Sequence, residues 1–334
     1  MRLNLRFAPD PFIVGLVTAV ALASLLPCRG RVAELFAVVT NFAIALLFFL
    51  HGAKLSREAI RAGITHWRLH LLVFACTFVL FPVLGAALKP LLQPLVTPAL
   101  YTGVLFLCVL PATVQSAIAF TSMARGNIPA AVCSASASTM LGVFITPVLV
   151  GLVVLPHAAA TSSFDSIVRI LLQLMLPFVV GHLSRPWIGG WMHRRKQILG
   201  LVDRGSVLLV VYTAFSAAVI EGLWKQVPLL ALAGLLVVCA VLLGIALFLT
   251  SWFARRLGFD KADEITIVFC GSKKSLASGI PMAKVLFPAH LVGATVLPLM
   301  LFHQMQLMVC AVLAQRYARR VEDAPGSESV RLGG

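Results

Sequence analysis

Long apolar stretches separated by short polar intervals run through the whole chain. Ten can be counted, at about 11–27, 34–52, 67–88, 97–122, 129–155, 166–184, 205–222, 228–253, 262–286 and 291–315. Most approach the ~20 residues that a helix needs to cross ~30 Å of hydrocarbon. The pattern predicts an all-α polytopic membrane protein with ten transmembrane helices. The stretch 11–27 follows Arg2 and Arg6 in the manner of a signal peptide. No small-x-small cleavage site is cleanly placed and further spans follow, so a retained first helix is expected.

Ten spans divide into two sets of five, about 11–155 and 166–315. An odd number per set turns the second upside down relative to the first, which gives a 5+5 inverted repeat. In such plans, interrupted helices at matching positions mark the binding site. The fourth span carries VLPATVQSAIAFTSMARGN, with Pro111 inside a run of hydroxyl and amide side chains. The ninth carries FCGSKKSLASGIP, where Lys273 and Lys274 stand side by side and Gly271, Gly279 and Pro281 loosen the helix. One charged residue near the bilayer centre costs about 2.5–3.5 kcal/mol on translocon scales. Two adjacent lysines must therefore face a protein-lined polar cavity. Taken alone, the fourth span reads as a proline kink with back-bonded Ser and Thr. Its match to the lysine-bearing break turns the balance toward a site.

Two further spans contribute polar groups. In CSASASTM (133–140), Ser134 and Ser136 suit close packing of small residues. Ser138 and Thr139 lie deeper and offer oxygen ligands or substrate hydrogen bonds. In LFHQMQLMV, His303, Gln304 and Gln306 wrap most of the helix, so at least one faces the cavity. Lys54 is placed to snorkel to the cytoplasmic face, and Asp263 and Glu264 suit the N-terminus of the ninth span.

Composition agrees with the pattern: 60% of residues are hydrophobic and only 12% charged, which excludes an ordinary soluble domain. The net charge of +15 sits in the gaps between apolar runs. That distribution fits the positive-inside bias and not a nucleic-acid face. With the N-terminus cytoplasmic, 19 Lys and Arg fall on the cytoplasmic side against 6 opposite, leaving Lys273 and Lys274 in the membrane. Both termini are therefore expected in the cytoplasm, with residues 1–318 a transporter domain and 319–334 a disordered polar tail. The 7 cysteines show no CxxC or metal-ligand spacing, so packing is their expected role. There is no P-loop, so any active transport draws on an ion gradient or a partner. HExxH, GxSxG and paired catalytic carboxylates are absent, which argues against an enzyme.

FCGSKKSLASGIPMA, LPATVQSAIAFTSMARGN, AAVCSASAS and LPLMLFHQMQLMVCAVLA together resemble the bile acid:sodium symporter superfamily. More narrowly, they resemble the branch shared by bacteria and the orphan member seven of solute carrier family ten. The resemblance spans essentially the whole chain. It implies a panel domain and a core domain, with two broken helices crossing beside the cation sites, and placement in a bacterial inner membrane. Characterised relatives carry organic anions, including bile acids, steroid sulfates and small carboxylates, usually driven by sodium. Carried over by position, the resemblance places candidate sodium ligands at Gln115, Ser116, Ser134, Ser138 and Thr139, with Thr77 ahead of Pro82 where the symporters have Gln. Aligned on Gly271, the acidic, Gln and Asn positions of the ninth span are Phe269, Lys273 and Lys274. Ammonium groups offer no acceptor. They would repel a cation at 4 Å by about 4 kcal/mol at an effective dielectric of 20.

The expectation is a secondary carrier of an organic anion that works by alternating access. Gln115, Ser116, Lys273, Lys274 and Ser275 would form the crossover site, with His303 and Gln304 beside it. A lysine would occupy the space of a sodium ion or attract the anionic substrate, so coupling to sodium is in question and proton-coupled or uncoupled transport stays open. A sodium site at Gln115, Ser116, Ser138 and Thr139 is the competing expectation. The blander alternative is that hydroxyls and unwound carbonyls tie both ammoniums down for structural reasons. A reading from another class is a non-transporting membrane sensor built on a transporter fold. The expected partners are the lipid bilayer and a small organic anion, with no nucleic acid, in a monomer or homodimer.

Overall fold

The computed structural model describes residues 11–54, 66–154 and 164–322. Among them every regular element is helical. Helices α1 (Pro11–Leu25) and α2 (Gly30–Lys54) open the chain. In the third apolar stretch, α3 (Trp67–Ala75) passes through a π-type turn at Cys76–Leu80 into α4 (Phe81–Ala87), and the short α5 (Lys89–Leu92) follows. The fourth stretch is two helices, α6 (Pro98–Val109) and α7 (Gln115–Met123), and the fifth is α8 (Ile128–Leu149). Then come α9 (Phe164–Arg194), α10 (Lys196–Ile220), the short α11 (Leu223–Gln226) and α12 (Leu229–Arg256). The ninth stretch is again two helices, α13 (Lys261–Gly271) and α14 (Leu276–Leu286), and α15 (Ala289–Glu322) closes the fold. Arg2, Arg6, Arg57, Arg61, Arg331 and the tail from 323 lie outside the described residues, and α15 continues past the expected boundary at 318.

Six helical segments among the described residues are long and apolar enough to cross a membrane unaided. The fourth and ninth apolar stretches are not among them, because each is interrupted in the middle. Large apolar side chains cover the outside, with Trp187 81% and both Leu229 and Leu230 82% exposed. Patches of this kind are rare on soluble monomers, and a lipid face accommodates them.

Two sets of helices can be distinguished, bridged by α10. In the first, α2 lies along α9, and α10 lies along α1 and α2 while also packing on α14 and α15 of the second. The α2–α9 contact is set by two glycines. A Cβ on Gly52 would strike the Phe178 carbonyl, and one on Gly181 would strike the Phe49 carbonyl. Small residues let helix backbones approach in this way where lipid removes the usual hydrophobic drive to associate. In the second group, α13 is surrounded by α3, α7, α8 and α12, while α15 packs on α6, α12 and α14.

The start of α13 is anchored from three directions. Glu264, 4% exposed, accepts from Arg255 of α12 at 3.0 Å and from Lys261 at 2.8 Å. Asn127, the N-cap of α8, donates to Asp263 at 2.8 Å, and its own N–H donates to Thr266 Oγ1 at 3.0 Å. Asp260 caps the helix by accepting from the Asp263 N–H at 2.7 Å. These anchors fix where α13 ends, ten residues further on, at the lysine pair.

Candidate functional site

Each break has a local cause. Pro111 brings no N–H and disfavours a helical residue before it. Leu110 is accordingly extended, with φ −76° and ψ 154°, and α7 restarts only at Gln115. In the ninth stretch α13 ends after Gly271. Ser275 is extended at φ −82° and ψ 112° and caps α14 by accepting from the Ser278 N–H. The Ser275 N–H donates to the Pro111 carbonyl at 2.9 Å, so the two breaks touch.

Unwinding leaves carbonyls without their helical donors, and buried ones need replacements. In α6 and the break the replacements can be followed one by one. Leu107 is served by the Leu110 N–H at 3.3 Å, Val109 by Thr146 Oγ1 at 3.0 Å, and Pro111 by Ser275. Cys108 would expect the Ala112 N–H, but that group donates to Ser138 Oγ at 3.0 Å. Cys108 and Leu110 turn instead to Lys274, whose Nζ lies 2.8 Å from each carbonyl oxygen.

The third partner of Lys274 comes from the π-type turn. The Phe81 N–H bonds the carbonyl of Cys76 and not that of Thr77. The next donor along the chain would be residue 82, which is proline and has none. The Thr77 carbonyl is thereby released, and it accepts from Lys274 Nζ at 2.7 Å. An ammonium has three hydrogens, and all three are used. The ring of Phe81 lies 4.2 Å from the same nitrogen. Charge-assisted hydrogen bonds and a cation–π contact together offset the cost of desolvating a fully buried charge.

Lys273 is handled differently. Its Nζ donates to the Ser116 carbonyl at 2.9 Å and sits 3.8 Å from the centre of the Phe120 ring, with Phe269 at 5.4 Å. Both lysine side chains are 0% exposed. Main-chain groups of Lys274 are held by Gln306 of α15, which accepts from the Lys274 N–H at 3.0 Å and donates to its carbonyl at 3.1 Å. The same Gln306 amide nitrogen is 2.9 Å from His303 Nδ1.

Beside the breaks, between the two helix groups, lies a cavity of about 470 Å³. On one side it is lined by Thr113–Ser116, Phe120, Ser136, Thr139, Ser275–Ser278 and His303, and on the other by Phe12, His51, Lys54, Phe178, Asp203 and Arg204. Lys54 and Asp203 form an ion pair at 3.2 Å.

The cavity wall thus gathers Gln115, Ser116, Thr139, Ser275 and His303. Lys273 and Lys274 lie behind that wall, in the protein interior. Thr139 Oγ1 donates to the Ala135 carbonyl at 3.1 Å, and Thr77 Oγ1 to that of Val73 at 2.8 Å. Ser134 pairs with His70 at 2.6 Å among buried groups away from the cavity. Gln304 is half-buried on α15 and outside the cavity lining. Unwound carbonyls do hold the Lys274 ammonium, as the blander alternative had it, though no hydroxyl joins them. Two features were not drawn from the sequence: Gln306 holds the Lys274 backbone, and Lys54, expected only to snorkel, joins Asp203 and Arg204 at the cavity. Pro82, five residues after Thr77, was the available signal for one of the oxygens.

The model of the SBF-like CPA transporter family matches residues 10–319. A protein of Pseudomonas aeruginosa, PA2026, is 67% identical over 319 residues, covering 96% of each chain. YfeH of Escherichia coli, provisionally named a symporter, is 60% identical over 313 residues and 94% of each chain. Sodium/bile acid cotransporter 7 of Rattus norvegicus is 30% identical over 321 residues, again 94% of each chain.

Proposed function

This chain belongs to the SBF-like CPA transporter family, and from that premise we propose that it is a secondary carrier of organic anions whose coupling ion is not sodium. One observation carries the anion: the first turns of two half-helices, at Gln115–Ser116 of α7 and Leu276–Ser278 of α14, open onto the same cavity. Helix N-termini present unpaired N–H groups and the positive end of the helix dipole. In secondary transporters such half-helices point at anionic groups of the substrate. Arg204 and Lys54 add positive charge on the facing wall, against the single carboxylate of Asp203. Phe12, Phe120 and Phe178 supply an apolar lining, so the substrate is an anion with an apolar body, of the bile-acid, steroid-sulfate or small-carboxylate type.

Sodium requires oxygen ligands, and the three carbonyls that converge at the breaks, those of Thr77, Cys108 and Leu110, already hold an ammonium. A sodium ion here would also meet the charge of Lys274. These residues do not fit sodium, and no transport step is assigned to it.

The two breaks, each in the fourth stretch of its half, support a 5+5 inverted repeat within residues 1–318. The charge asymmetry supports cytoplasmic termini in a bacterial inner membrane. Alternating access would move the group containing α13 and α14 against the group containing α2 and α9, with the cavity at the seam. The test is uptake by the purified protein in liposomes, with a bile acid, a steroid sulfate and a small carboxylate, in sodium and in choline buffers. At least one anion is expected to enter equally in both, with Arg204→Ala raising its KM. A steep sodium requirement in the wild type, or no exchange of any anion, defeats the reading.

A further inference from the structure

The junction of the two broken helices contains a set of oxygens whose convergence does not depend on the lysine they hold. Thr77 is released by a π-type turn followed by Pro82, Leu110 by the extended backbone before Pro111, and Cys108 because Ala112 bonds Ser138. None of these causes involves Lys274 itself. All three are carbonyl oxygens gathered around one atom, at 2.7, 2.8 and 2.8 Å from Nζ of Lys274, and the Phe81 ring lies 4.2 Å from it. Converging main-chain carbonyls are what proteins use to replace the hydration shell of an alkali cation. An aromatic face adds to the preference for positive charge. Lys273 has no such set: one carbonyl and two rings receive it.

We infer that this junction is a monovalent-cation site filled by the chain's own Lys274, and that deleting the side chain hands the site to a free monovalent cation. The inference deepens the reading that sodium is not the coupling ion, and rests on it. The nitrogen at the junction is covalently attached, so it cannot leave during a transport cycle. Ions that dissociate on one side and rebind on the other have no vacancy to use. The chain keeps the electrostatic support that a bound cation gives to two unwound segments, and gives up the energy that release of the cation would deliver.

Cation binding is read separately from transport, so failure of the anion assay leaves this test untouched. Thermal unfolding of the purified wild type and of Lys274→Ala is followed in detergent. The salts are choline, sodium, potassium and propylammonium chloride at equal ionic strength. Propylammonium matches the atoms that the substitution removes. The wild type is expected to melt at the same temperature in all four. Lys274→Ala is expected to melt about 3 °C or more higher in at least one of the three small cations than in choline. Lys274→Met, which fills the space without charge, is expected to show no cation effect. Equal melting of Lys274→Ala in every salt overturns the inference. So does a sodium-dependent rise in the wild type, and that measurement decides the matter by itself if Lys274→Ala cannot be purified in any salt.

Discussion

The Ser275 N–H donates to the Pro111 carbonyl at 2.9 Å, joining two helix breaks that lie more than 160 residues apart in the chain. A main-chain bond between the unwound segments means that neither break is a local defect. Each supplies groups that the other has left without partners, and Lys274 completes the exchange. The two breaks are energetically tied by this mutual satisfaction, since every donor or acceptor withdrawn leaves a buried counterpart behind.

Replacing Lys274 by methionine keeps the length and removes the charge. The carbonyls of Thr77, Cys108 and Leu110 then lose their donor, at about 1–3 kcal/mol for each buried group left unsatisfied. Lys273→Met is expected to cost less. Ser116 lies inside α7, where the helix ladder also serves its carbonyl, so the main loss is the cation–π contact, about 2 kcal/mol when desolvated. Melting temperatures of the two purified variants give the comparison, and equal losses would contradict the asymmetry described for the pair.

Ser138→Ala removes the acceptor of the Ala112 N–H at the start of the α7 break. The expected loss is about 1–3 kcal/mol, because a buried amide is stranded. Ser136→Ala, on the cavity wall of the same helix, strands no main-chain group and is expected to stay within about 0.5 kcal/mol of the wild type. The same unfolding measurement separates them.

Gln306 matters through its two-way contact with the Lys274 backbone. Gln306→Leu leaves both the N–H and the carbonyl of Lys274 unpaired. Gln306→Glu keeps the acceptor and loses the donor, so its stability is expected to fall between those of wild type and Gln306→Leu. A Gln306→Leu protein as stable as the wild type would show that the unwound segment is held by other means.

The overall class of the fold was legible because it rests on long-range composition: apolar stretches of membrane length are visible without any tertiary knowledge. The places of the two breaks were legible as well, since Pro111 and the Gly271–Lys274 run act within a few residues. Which lysine would go where was not. Neighbouring residues in an unwound segment point in different directions, and their paths depend on what converges from other helices. The oxygens that receive Lys274 are main-chain atoms, which carry no residue signature at all. Thr77 was picked out for its side chain, yet the atom facing the ammonium is its carbonyl, freed by a turn that a single sequence does not announce. In α15, His303 and Gln306 meet on one face at 2.9 Å, and Gln304 lies on another. Periodicity alone could not decide that Gln306 reaches the break.

Gly52→Ala and Gly181→Ala are expected to be among the most damaging methyl additions in the molecule. Each puts the new carbon into a carbonyl of the facing helix, a collision that rotamer changes cannot relieve. Gly190→Ala, also on α9 and with open space around it, serves as the tolerated control. Yield and monodispersity after detergent extraction should drop for the first two and hold for the third.

Lys274 can finally be seen as a repair made from outside the helices it serves. Pro82 has no amide hydrogen, the Ala112 hydrogen is committed elsewhere, and the backbone before Pro111 has left the helical path. Three side-chain hydrogens stand in for the missing main-chain ones, and they arrive from a different pair of helices. Straightening α3–α4 or α6–α7 would restore internal donors to the carbonyls and evict the ammonium into apolar surroundings. Straightening α13–α14 would pull it away and strand the carbonyls. The interrupted helices are therefore bound to one another's irregularity, and none of them can become regular alone.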